Sequence, residues 1–163
     1  MGSFEGVFSP LLFLFMGKLI DLSNRIKQLT AQRLEAEVLI IIRENETTLT
    51  NMNTDQLFQG QDAKGKSLPD YSERSVQVFG KPSGPMKLFD TGDFYRGFFV
   101  RADKFPVVFE SSDRKTGKIA DLLAAKGEDP DDIYGINKAN LKDFSRNYLL
   151  PDLQKFLRNF LHV

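Results

Sequence analysis

The stretch "EVLIIIRE", Glu37 to Glu44, decides how this chain folds. Its five consecutive apolar residues, three of them isoleucine, have the β-branched character of a buried strand. The same residues also fit a helix. Leu34, Val38, Ile41 or Ile42, and Asn45 recur every three or four positions, and "RLEAE" just ahead, Arg33 to Glu37, is built of strong helix formers. We read residues 34–53 as helical. The N-terminal part of the chain is then all helix, and strands remain only near the middle.

Upstream, Ser9 followed by Pro10 is a helix start with proline in the first turn. Leu12, Phe15, Leu19, Leu22, Ile26 and Leu29 step along one stripe of that helix. Leu11, Phe13 and Leu14 spill to its other sides, which implies burial on more than one side. We therefore read Leu12, Phe15, Leu19, Leu22 and Ile26 as an interface. A membrane span needs about 20 apolar residues, and Lys18 and Asp21 interrupt too early. Glu5 stands where a secretory signal wants basic residues, and Gly6 where a myristoylation signal wants Ser or Thr. The expectation is no membrane partner; a membrane-surface role for residues 7–22 is the weaker alternative.

Downstream, "NTDQLFQ" (Asn53–Gln59) reads as a short helix capped by Gly60, and Asp62 to Pro85 as a loop zone rich in glycine and proline. Within it "RSVQVF", Arg74 to Phe79, alternates like a short strand. "GFFVRA" and "FPVVFES" read as a hairpin joined by "ADK", with Pro106 marking an edge or a strand start. "KIADLLAAKG" is a helix ending at Gly127, and "EDPDDIYG" an acidic turn. From the N-cap Asn137, the residues Leu141, Phe144, Tyr148, Leu153, Phe156 and Phe160 continue a helical pattern, kinked at Pro151. The fold class is α+β: one domain, a small antiparallel sheet packed with N-terminal and C-terminal helices. Residues 1–52 form a helical assembly segment and 53–163 the α+β core.

Composition removes several function classes. The 163 residues carry 22 Lys plus Arg and 22 Asp plus Glu, so net charge gives no footprint of a nucleic-acid or acidic partner. Without cysteine there is neither a disulfide framework nor thiol chemistry. The single histidine, His162, leaves no material for a histidine zinc site or a Ser/His/Asp triad.

One motif argues otherwise. "GQDAKGKS", Gly60 to Ser67, matches the phosphate-loop pattern G-x-x-x-x-G-K-[ST]. That motif works only between an apolar strand and a helix that begins at its lysine. Here the entering segment is polar, Leu68-Pro69 follows Ser67 at once, and Asp62 sets a negative charge inside the loop. We read an accidental match, with Lys66 a solvated loop charge and no cofactor expected. A small nucleotide-binding protein is the alternative function. Asp90 and Asp93 read as turn or cap residues, and Asp129, Asp131 and Asp132 lack the spacing of a calcium loop. Phe94, Phe98, Phe99, Phe105 and Phe109 read as core packing. No catalytic constellation emerges, so we expect no enzyme.

The order of the pieces carries more. "DAKGKSLPDYSERSVQ", "MKLFDTGDFYRGFFV" and "DIYGINKANLKDFSRNYLLPDLQKFL" follow one another between a helical start and a helical end. This order resembles the virion-morphogenesis or tail-completion family of tailed bacteriophages. Its members carry a D-x-x-G-x-x-W-x-x-L-S loop, then L-x-x-T-G-x-L-x-x-S, then P-F-L-G-L before a last helix. Asp62, Gly65, Leu68, Tyr71 and Ser72 fall on the first; Leu88, Thr91, Gly92, Tyr95 and Gly97 on the second; Ile133, Tyr134, Gly135 and Ile136 on the third. The chain has no tryptophan, Gly97 stands at the family's serine, and the basic run before the second motif is reduced to Lys81 and Lys87.

The resemblance covers roughly Asn53 to Leu161 and implies a structural role without chemistry. It implies a homo-oligomeric ring at the head–tail joint or tail end: a tail-completion, terminator or connector subunit, located in the virion and assembled in the host cytoplasm. Its partners would be portal, connector or tail proteins, with genomic DNA passing through the lumen without sequence recognition. Gly65, Thr91, Gly92 and Gly135 would be structural turns.

Overall fold

A computed structural model describes residues 10–162, with side chains from Leu14 onward. Ser9, the expected start of the first helix, the Met1–Gly6 segment and the side chain of Leu12 lie outside the described residues. The fold is α+β, a single domain with a two-stranded antiparallel sheet among helices.

The decisive stretch is helix. Helix α1 spans Pro10–Gln28, α2 Ala31–Glu44 and α3 Glu46–Phe58. Thr30 caps α2 by accepting the Arg33 N–H at 3.2 Å, and Asn45 ends it, its side-chain amide donating to the Ile41 carbonyl at 2.9 Å. The isoleucine run has two neighbours. Leu39 and Ile42 pack with the sheet side of the molecule, while Ile41 turns to Phe156 and Phe160 of the last helix. A helix apolar on two sides is one with something on two sides.

Helix α3 ends in a Schellman cap: the Gly60 N–H bonds the Leu57 carbonyl and the Gln61 N–H the Gln56 carbonyl, both at 2.9 Å. "RSVQVF", expected as a strand, is instead part of helix α4, Glu73–Phe79. Ser72 accepts the Ser75 N–H at its start and Gly80 is left-handed at its end. In a seven-residue segment these two caps outweigh the β propensity of Val76 and Val78.

A short α5, Asp93–Arg96, leads into β1, Phe98–Arg101, which pairs with β2, Val108–Ser111, in the register Phe98↔Ser111 to Arg101↔Val108. The expected hairpin stands, with a longer connection than "ADK". Helix α6, Thr116–Ala125, a 3-10 turn at Pro130–Ile133, and α7, Lys138–Phe144, follow. Asn137 caps α7 by accepting the Asn140 N–H at 3.0 Å. Pro151 lies in the first turn of α8, Leu150–Leu161, and the chain widens to a π-helical turn at Ser145–Leu149 just before it. Proline removes the N–H that would have closed an α-turn there, so the helix deforms where the sequence predicts a kink.

Two apolar clusters form the interior. Leu57, Leu68, Met86, Phe94, Phe98, Leu123 and Ile133 make one; Leu39, Leu49, Val100, Ala102 and Phe144 make the other. Helix α3 joins them, with Leu49 in the second and Leu57 in the first. The expected division at residues 52/53 falls inside this helix.

Candidate functional site

The Gly60–Ser67 loop is closed on itself. Gln61 and Ser67 form a β-bridge, and the Asp62 carboxylate, buried, accepts the N–H groups of Lys64 at 2.9 Å and Lys66 at 2.7 Å. Those are the donors a phosphate would require, and they are already taken by an acid. No helix begins at Lys66; the next one, α4, starts at Glu73. The lysines point out instead. Lys64 Nζ meets Asp132 at 2.7 Å and Lys66 Nζ meets Glu128 at 2.6 Å, and those partners hold both ammonium groups above the usual lysine range.

The Lys64 pair ties the first loop to the "DIYGIN" segment, Asp132 to Asn137, and two buried amides of α3 tie that segment to the helix. Asn53 donates to the Ile133 carbonyl and accepts the Gly135 N–H, both at 2.9 Å. Gln56 donates to the Gly135 carbonyl at 2.7 Å and accepts the Asn137 N–H at 2.9 Å. Asn53 is fully enclosed and Gln56 nearly so, and both have satisfied donors and acceptors. Sequence reasoning missed this pair. The available signal was Asn53 on the same stripe as Leu49 and Leu57, a polar residue where the pattern wants an apolar one.

The second loop joins the same junction. Met86 N–H bonds the Pro69 carbonyl at 2.9 Å, Tyr71 N–H the Gly84 carbonyl at 3.0 Å, and the Tyr71 hydroxyl accepts the Lys87 N–H at 3.1 Å. Tyr95 donates its hydroxyl to the Lys87 carbonyl, and burial pushes its phenol pKa up. All three stretches that carry the resemblance therefore meet around one core.

Asp90 and Asp93 are not a carboxylate pair. Asp93 accepts from the Thr91 hydroxyl and from Arg96, while Asp90 faces Lys81 at 3.2 Å and Lys115 at 3.5 Å. These partners lower both carboxyl pKa values, Lys81 first for Asp90 and the Thr91 hydroxyl first for Asp93. Gly92 has φ 82°, and a Cβ there would stand 3.2 Å from the Phe89 ring. Gly65 and Gly135 also have positive φ, 79° and 123°. Gly97 answers a different demand: a Cβ would sit 2.7 Å from Ser111 Oγ and 3.0 Å from the Asp113 backbone nitrogen, so a side chain has no room here.

The surface divides into a held part and an open part. Helix α1 is held at its C-terminal half, where Arg25 reaches the Phe160 carbonyl at 3.5 Å and pairs with Asp21 at 2.9 Å. Its residues from Leu14 to Ile20 are all exposed, with Leu14, Phe15, Met16, Leu19 and Ile20 between 49% and 60% open. Of the expected interface, Phe15, Leu19 and Ile26 are exposed and Leu22 is half-buried. A second open apolar region lies between α4 and α6. It is a cavity of about 420 Å³ lined by Phe79, Met86, Leu88, Phe89, Ile119 and Leu122, and Phe79 at its mouth is 66% exposed. Sequence reasoning did not find this groove, because Phe79 and Leu122 are 43 positions apart and α4 reads as a strand.

Among the described residues no helix is long and apolar enough to cross a membrane, and no cluster of three His, Asp or Glu could hold a metal ion. No family model matches this chain, and neither a curated protein nor a solved structure is significantly similar to it.

Proposed function

We propose that this chain is a structural protein of a tailed-bacteriophage virion. It forms a homo-oligomeric ring at the head–tail joint or tail end, as a tail-completion, terminator or connector subunit. The observation that carries the reading is α1. Its Leu14, Phe15, Met16, Leu19 and Ile20 all lie open, with nothing among the described residues covering them. A lone soluble protein rarely leaves such a surface in water, and an assembly subunit needs one. Burying three of those large side chains would contribute about 5–8 kcal/mol of gross hydrophobic free energy before ordering costs.

The order of the three glycine-containing loops, and their meeting at one junction, supports the same reading. The work is done by shape complementarity rather than chemistry. Portal, connector or tail proteins would take the outer faces, and DNA would pass through the lumen unread. Nucleotide binding at Gly60–Ser67 is less favoured, because Asp62 occupies the loop's inward N–H groups.

Light scattering and negative-stain imaging of the full chain test the proposal. Closed rings many times the 18.5 kDa of one chain are expected. A single-chain particle that binds ATP or GTP with magnesium, and loses binding in Lys66→Ala, would replace it with the nucleotide reading.

A further inference from the structure

Among the described residues two apolar surfaces stand open, one on α1 and one between α4 and α6. Helix α8 holds α1 where Arg25 reaches Phe160, while Leu14 to Ile20 of α1 are exposed. The α4–α6 groove opens beside the cluster that holds Met86 and Phe94. Helix α3 runs through both clusters, with Leu49 and Leu57 roughly 12 Å apart along its axis. Among the described residues, none of α1 lines the groove.

We propose that the first half of α1 in one copy seats in the α4–α6 groove of the next copy. The inference rests on the ring reading and names its interface. A ring needs a heterologous contact, in which two different surfaces of each subunit meet; an isologous contact closes at a dimer. Pairing α1 with a second α1 would cover one stripe of each helix and leave every groove open. Seating α1 in the groove covers both surfaces with one contact.

The chemistry fits. Residues 14–20 hold one charge, Lys18; the groove sets Phe79, Met86, Leu88, Phe89, Ile119 and Leu122 beside Lys81, Asp90, Asp93 and Lys115, and those charges pair among themselves or with Arg96. The size fits as well. At roughly 100 Å² each, the five open side chains present about 500 Å², most of the ~800 Å² per partner that a stable contact buries. Phe79, Phe89 and Leu122 supply the opposing face. Helix in groove is also how an amphipathic helix is ordinarily read by a partner, through anchors spaced as Phe15 and Leu19 are.

The absence of cysteine makes the test clean. Phe15→Cys and Leu122→Cys, both at exposed positions, are purified separately, mixed and treated with a short bismaleimide. The inference expects a product of twice the 18.5 kDa chain mass in the mixture, well above that from either variant alone. Dimers from Phe15→Cys alone, with no further product when Leu122→Cys is added, would show α1 pairing with α1 and overturn it. A double variant that cross-links only within one chain would overturn it too. Phe79→Glu is the second probe: it should dissociate the oligomer with its thermal melt unchanged. Full-sized rings in Phe79→Glu, with no mixed product, defeat this interface while leaving the ring reading intact. A wild-type chain that never assembles but floats with anionic lipid vesicles defeats both, in favour of a membrane surface.

Discussion

Helices α3 and α1 both break the rule that a surface helix keeps one apolar stripe and one polar face, and they break it in opposite directions. Helix α3 places Asn53, flanked by Gln56, among the apolar positions Leu49 and Leu57. Helix α1 places Leu14, Met16 and Ile20 where polar residues would serve a lone domain. The first exception is resolved within the chain. Four hydrogen bonds from Asn53 and Gln56 hold the Ile133–Asn137 segment on the helix. The second is not resolved among the described residues. A misplaced polar residue points to a backbone that must be held; a misplaced apolar run points to a surface that must be covered from outside.

The largest effect should come from the helix whose exception is internal. Asn53→Ala strands the buried Ile133 carbonyl and Gly135 N–H at once. At about 1–3 kcal/mol for each lost partner, we expect a loss of about 2–5 kcal/mol and a melting temperature lower by roughly 5–15 °C. A melt within a degree or two of wild type would mean that water serves those groups as well as Asn53 does. That would erase the contrast with α1.

Gly92→Val should cost less, on the order of 1–3 kcal/mol, since valine is strained at a φ of 82° and its Cβ meets the Phe89 ring. An unchanged melt there would detach the Thr91-Gly92 turn from the junction.

Acid sharpens the comparison further. Asp90 and Asp93 have folded pKa values below the ordinary 3.8, so their contribution is present above that pH and lost as pH falls through the folded values. Stability should therefore dip modestly near pH 3 relative to pH 6, and Asp93→Asn should shrink the dip. Both groups are exposed, so the effect is small. A larger dip in Asp93→Asn than in wild type would reverse the assigned sign. Lys66→Ala should be smallest, with no measurable change in melting, because its pair with Glu128 is solvated. A marked destabilisation would show that the lysine braces the junction.

Much of this was legible in the sequence. Helix caps at Asn137 and Gly60, the hairpin, and the disturbance at Pro151 follow from local stereochemistry, which short stretches encode directly. The "RSVQVF" strand was misread because seven residues show a period of two as easily as 3.6, and only the caps at Ser72 and Gly80 settle it. The Asn53–Gly135 and Gln56–Asn137 bonds join residues about 80 positions apart, which no local pattern reveals. Asp62 was read as a charge that repels phosphate, when its carboxylate is the buried cap of its own loop. The open helix α1 was visible from its all-round apolarity; the groove between α4 and α6 appears only once the chain is folded.

Deleting residues 1–16 and comparing melting and assembly with the full chain tests the central claim most directly, that α1 serves something outside its own domain. The account predicts a full chain that runs as a large oligomer. It predicts a truncated chain that melts within a few degrees of it but runs near the mass of a single chain. A truncated protein that still assembles while its core is unfolded, or one that assembles as fully as the intact chain, would contradict it.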